Sequence, residues 1–87
     1  MKEHSKKSYH TLMAKAAKVI LGESADLKLK GRPDKIQATK NVIIASKNLY
    51  EELNRENPSF EKIMQLVETK RVKSEIFGKV TGLRWAL

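Results

Sequence analysis

From Pro33 to Leu53 the apolar positions keep a single helical period. Ile36, Ala38, Val42, Ile43, Ala45, Leu49, Tyr50 and Leu53 cover about half of a helical wheel. An apolar arc that wide suits a central helix touched on two sides. Pro33 fits a first helical position, where its missing N–H is not needed, and Asp34 puts a carboxylate near the positive end of the helix dipole. Ile44 falls outside the arc, among Gln37, Lys40, Lys47 and Glu51. It reads either as one tolerated exposed apolar residue or as a contact to a second subunit or partner.

Upstream, Tyr9, Leu12, Met13, Ala16, Ala17 and Ile20 recur at the spacing of one helix face. Ser5 or Ser8 can cap this helix and Gly22 can end it. Val19 and Ile20 also permit a competing strand start at residues 18–21. Residues 1–7 are polar and basic and read as a flexible arm before a single domain over residues 8–87. The opposite face carries Lys7, Thr11, Lys15 and Lys18, a basic stripe that meets water or lies along a phosphate backbone.

Residues 26–30 read DLKLK, with leucine and lysine in strict alternation, which predicts a strand. Gly31 and Arg32 turn from it into the central helix. After the polar connector of residues 54–59, where Asn57 before Pro58 or Ser59 starts it, Phe60, Ile63, Met64 and Val67 predict a further helix that folds back on the central one and ends at residues 70–73. Ser74 then starts a short turn carrying Ile76, Phe77 and Val80, and Gly82 stops it. Leu83, Trp85 and Leu87 alternate with Arg84 and Ala86, so the tail is expected to pair with or pack beside the 26–30 strand. The expected fold is therefore α+β: helix, strand, long helix, helix, and a short terminal strand or extended tail. An all-α bundle is the alternative.

The length of 87 residues allows one domain with a modest core. With no cysteine there is neither a disulfide framework nor thiolate chemistry, which fits a cytoplasmic setting. The longest apolar run, Val42 to Ala45, is far below the ~20 residues of a membrane span, and no secretory apolar stretch follows the amino terminus.

Catalytic signals are absent. His4 and His10 do not share a helix face, Glu51 and Glu52 point about 100° apart, and no serine stands in a nucleophile elbow. The glycines form no phosphate loop, and at the Gly31–Arg32–Pro33 junction Asp34 already supplies the negative charge that an anion would bring. No cofactor or metal is expected.

Charge points to a partner. Eighteen lysines and arginines stand against ten acids, a formal balance of +8, which favours DNA, RNA or an acidic protein. Lys28, Lys30 and Arg84 share the outer face of the expected strands. Arg32 lies at the helix junction, and Lys70, Arg71 and Lys73 cluster at the expected end of the third helix. Tyr9, Tyr50, Phe60 and Phe77 read as core, which leaves little for base stacking. The expectation is a non-enzymatic accessory protein binding nucleic acid through backbone phosphates at Lys28, Lys30, Arg32, Lys70, Arg71, Lys73 and Arg84. The alternative is an interaction module or homo-oligomer with contacts at Ile44, Trp85 and Leu87.

Overall fold

A computed structural model describes residues 6–87, with side chains from Ser8 onward. Three α-helices follow one another: α1 (Lys6–Ile20), α2 (Pro33–Leu53) and α3 (Phe60–Thr81). Among the described residues there is no strand, so the fold is all-helical and the α+β expectation is corrected. Ser5, offered as a cap, and residues 1–5 of the expected flexible arm lie outside the described residues. The helix already includes Lys6, Lys7 and Ser8.

Local chemistry accounts for the helix ends. α1 closes on Gly22 at φ 80°, with Glu23 N–H donating to the Lys18 carbonyl at 2.8 Å and Gly22 N–H to that of Val19 at 3.1 Å. This paired pattern is how a left-handed glycine satisfies the last carbonyls. Residues 18–20 are thus the last turn of α1 and not a strand. α2 begins at Pro33 after an extended Arg32. Ser59 caps α3 by accepting from Lys62 N–H at 3.2 Å, and Gly82 ends it in the left-handed region at φ 74°.

The alternating 26–30 stretch is a strap. The amino-terminal turns of α1 and α2 line one groove and their carboxy-terminal turns line another, so the two helices run in the same direction. Joining them requires a return the length of α1, about 22 Å for 15 residues. Seven residues, 24–30, carry no regular structure, and extended chain at about 3.3 Å per residue covers that distance. Leu27 and Leu29 are half-buried while Lys28 and Lys30 are exposed, so the period of two is real. Side chains satisfy the strap's backbone in place of a partner strand. Asp26 N–H donates to Ser24 Oγ at 3.1 Å, Lys28 N–H donates to Asp26 Oδ1 at 2.9 Å, and the Lys28 carbonyl accepts from Lys15 Nζ.

α3 runs unbroken past residues 70–73, where an end was expected. The Ser74 hydroxyl donates to the Lys70 carbonyl at 2.7 Å within the helix and starts no new turn. Arg71 bridges Glu68 and Glu75 along its surface. The face that α3 buries also differs. Phe77 is buried and Ile63 and Leu66 are half-buried, whereas Phe60, Met64 and Val67 stay exposed.

The core gathers Met13, Ala16, Val19 and Ile20 of α1, Val42 and Ile43 of α2, Phe77 of α3, and Trp85 of the tail. The tail does not pair with the strap. Trp85, 9% exposed, sets its ring edge-on to Phe77 at 5.2 Å between centroids and donates from Nε1 to Ser46 Oγ at 3.0 Å. The Tyr9 hydroxyl donates to the Arg84 carbonyl at 2.6 Å. One short segment thus touches all three helices.

Glu52 fixes the α2–α3 turn. Its side chain is 3% exposed, and Oε2 accepts the Ser59 N–H at 2.8 Å. Oε1 lies 3.5 Å from the Arg55 guanidinium and 3.7 Å from the Lys62 ammonium. The Ser59 hydrogen bond above all, with help from Arg55 and Lys62, holds this carboxyl below the ordinary carboxylate range despite the opposing effect of burial.

Two outcomes follow for stability. Trp85→Ala is expected to cost about 3–5 kcal/mol in urea denaturation, and Ser46→Ala about 1–3 kcal/mol, because the indole N–H stays buried without its acceptor. An unchanged urea midpoint in Ser46→Ala would refute the anchoring role of that bond. For Glu52, the folded state binds its proton more weakly than the unfolded chain does. Its contribution is therefore present above the ordinary value of 4.5 and lost as pH falls through the lower folded value. Glu52→Gln is expected to be less stable than wild type at neutral pH and to lose less on acidification below that range. Parallel acid-denaturation curves for the two proteins would contradict this.

Candidate nucleic-acid interface

The parallel course of α1 and α2 leaves a groove of about 640 Å³ between their first turns, closed by the strap and the start of the tail. Lys15 of α1, Lys28 and Lys30 of the strap and Lys35 of α2 line it, with Leu12, Leu29, Ile36 and Leu83 half-buried between them. The Lys15 ammonium stands 3.8 Å from Asp26 and donates to the Lys28 carbonyl, so it is tethered. Among the described residues, Lys28, Lys30 and Lys35 have no carboxylate within ion-pair reach. The positive ends of two helix dipoles lie at the same end of the molecule, which adds to the lysine charge. One of them is partly answered by Asp34, whose Oδ1 accepts from Lys35 N–H at 2.9 Å.

Comparison with known proteins finds no matching family model, curated protein or solved structure. The site is therefore read from its own chemistry.

The seven basic residues singled out by sequence do not converge. Lys28 and Lys30 meet in the lysine groove. Lys70, Arg71 and Arg84 border a different groove of about 610 Å³, together with Glu75. Leu83 belongs to the walls of both, so the tail forms a ridge between them. Arg32 stands at the α2 amino terminus with its Nε 3.4 Å from Asp34. Lys73, half-buried on α3, lines neither groove.

Arg71 is the poorest phosphate ligand of the seven. Glu68 and Glu75, the latter at 2.7 Å, hold its guanidinium between them and push its pKa above the ordinary arginine range. Hydrogen bonding from Arg71 in turn lowers the Glu68 carboxyl. The charge of this triad is already negative before any ligand arrives.

Sequence reasoning missed two members of the groove. Lys15 was visible only as part of the α1 basic stripe, and Lys35 gave no signal beyond its place in the first turn of α2. What joins them to Lys28 and Lys30 is the return of the strap.

The aromatic assignment also changes. Phe60, expected in the core, is 74% exposed and Tyr50 is exposed, while Trp85 is buried. Neither exposed ring lines the lysine groove, and Tyr9, which does, has its hydroxyl bound to the tail. Of the expected partner contacts, Ile44 is 47% exposed, Leu87 is at the surface beside an apolar groove, and Trp85 is committed to the core. His10 is exposed, and His4 lies outside the described residues. Among the described residues no cluster of histidine and carboxylate side chains is suited to a metal ion, and no helix is long and apolar enough to cross a membrane.

Proposed function

We propose that this chain is a small non-enzymatic accessory protein that binds nucleic acid through backbone phosphates, with Lys15, Lys28, Lys30 and Lys35 as the contacts. One observation carries the reading: these lysines border a single groove, and three of them have no carboxylate partner among the described residues. Flexible ammonium groups on a rim suit phosphates, which demand charge and reach but little directional geometry. Among the described residues no exposed ring lines the groove, which favours contacts to the backbone over stacking on bases. The overall balance of +8 would speed encounter with any polyanion. A cytoplasmic setting, where such partners are abundant, goes with the same reading.

Salt titration tests it. Four phosphate contacts on duplex DNA give a slope of log K against log salt near about −3.6. Lys28→Ala combined with Lys30→Ala is expected to weaken binding and to reduce that slope by about 1.8. Arg71→Ala, already neutralised by its own helix, is expected to leave both unchanged. Absence of binding to any duplex or single strand at low salt would remove the proposal. Equal losses in Arg71→Ala and the lysine pair would remove the groove as its site.

A further inference from the structure

The end of the molecule opposite the lysines has the reverse character. Phe60, Met64 and Val67 form an exposed apolar ridge on α3, at i, i+4 and i+7 of one helix face. Beside it the last turns of α1 and α2 and the final residue leave an apolar groove of about 270 Å³, in which Leu21, Tyr50, Leu53 and Leu87 remain exposed. Val67 joins ridge to groove, since it shares a wall with Leu49 and Lys70, which also line the groove. Ridge and groove thus adjoin through Val67, Leu49 and Lys70.

We infer that this surface is a two-fold self-association interface, in which the Phe60–Met64–Val67 ridge of one copy seats in the Leu21–Tyr50–Leu53–Leu87 groove of a second copy, and the reverse. Area supports it. These seven residues are 38 to 74% exposed and together leave apolar surface on the order of a few hundred Å² uncovered, the size at which an exposed patch marks an interaction site. A standard interface buries about 800 Å² per partner, of which about 500 Å² is apolar. The patch is therefore of the size that can form the apolar centre of such an interface.

Geometry and charge agree with a second copy as the occupant. An isologous contact needs a self-complementary patch, which a ridge and an adjoining groove supply. Only Lys70 among the groove residues is charged, and Glu61 flanks the ridge. Neither has an ion-pair partner among the described residues, so each copy brings one ammonium and one carboxylate to be matched across the two-fold axis. The lysine grooves lie at the far ends and stay open in such a dimer. This inference stands on its own observations and does not need the nucleic-acid reading.

Sedimentation equilibrium on nucleic-acid-free protein tests it. The wild-type mass is expected to rise with concentration toward twice 9.9 kDa. Phe60→Glu with Met64→Glu removes the ridge and Leu53→Glu disrupts the groove. All three positions are exposed, so each variant is expected to keep wild-type helicity by circular dichroism and to stay at 9.9 kDa. Because the contact needs both elements, either variant that remains folded is decisive. Ile44→Glu, on a different face of α2, is expected to associate like wild type. A wild-type mass of 9.9 kDa at every concentration would overturn the inference and leave the surface to a different protein. So would a dimer broken by Ile44→Glu but intact in the ridge and groove variants.

Discussion

The burial of Trp85 is the contact on which the arrangement of this molecule turns. Its ring closes the core against Phe77, and its N–H reaches Ser46 on α2. One residue earlier the backbone accepts from Tyr9 on α1. A domain of this size buries too little apolar surface in any single helix pair to be secure. A five-residue tail that ties all three helices together supplies contacts that no pair makes alone. Ser46 and Thr39 are small and buried on the inner side of α2, leaving room for close approach.

Given that core, the parallel course of α1 and α2 determines where chemistry sits. Short links produce antiparallel neighbours, and the α2–α3 turn is one, pinned by Glu52. The α1–α2 link must instead travel back along α1. Its leucines turn inward, so its lysines are held outward beside Lys15 and Lys35. The basic groove is thus a by-product of connectivity. The same chain with an antiparallel first pair would have no strap and no such cluster.

The two ends of the molecule differ in chemistry. The amino termini of α1 and α2 and the lysines at positions 15, 28, 30 and 35 gather at one end, while the carboxy-terminal turns of α1 and α2 gather at the other. At the end of α2 and along α3, Glu52, Glu68 and Glu75 neutralise nearby bases. The net charge therefore resides mainly elsewhere, on α1, the strap and the first half of α2. A polyanion and an apolar partner need not compete for the same surface.

The courses of α1 and α2 and the stops at Gly22 and Gly82 were legible in the sequence, because caps and helical periodicity act over a few residues; the start of α3 was legible only as a choice between Asn57–Pro58 and Ser59, which the structure gives to Ser59. So was the exposure of Ile44 on the polar side of its helix. Three matters were not. The alternation in DLKLK is common to a sheet strand and to a strap, and only the presence or absence of a neighbouring strand decides between them. The continuation of α3 past Lys70, and the face it buries, depend on Phe77 finding Trp85 and the inner side of α2. Which lysines share a groove depends on the direction in which α1 and α2 run. Local order is set by neighbours along the chain. Pairing, direction and burial are set by contacts between residues far apart in it, such as Tyr9 with Arg84 and Ser46 with Trp85, and no short-range pattern carries that information.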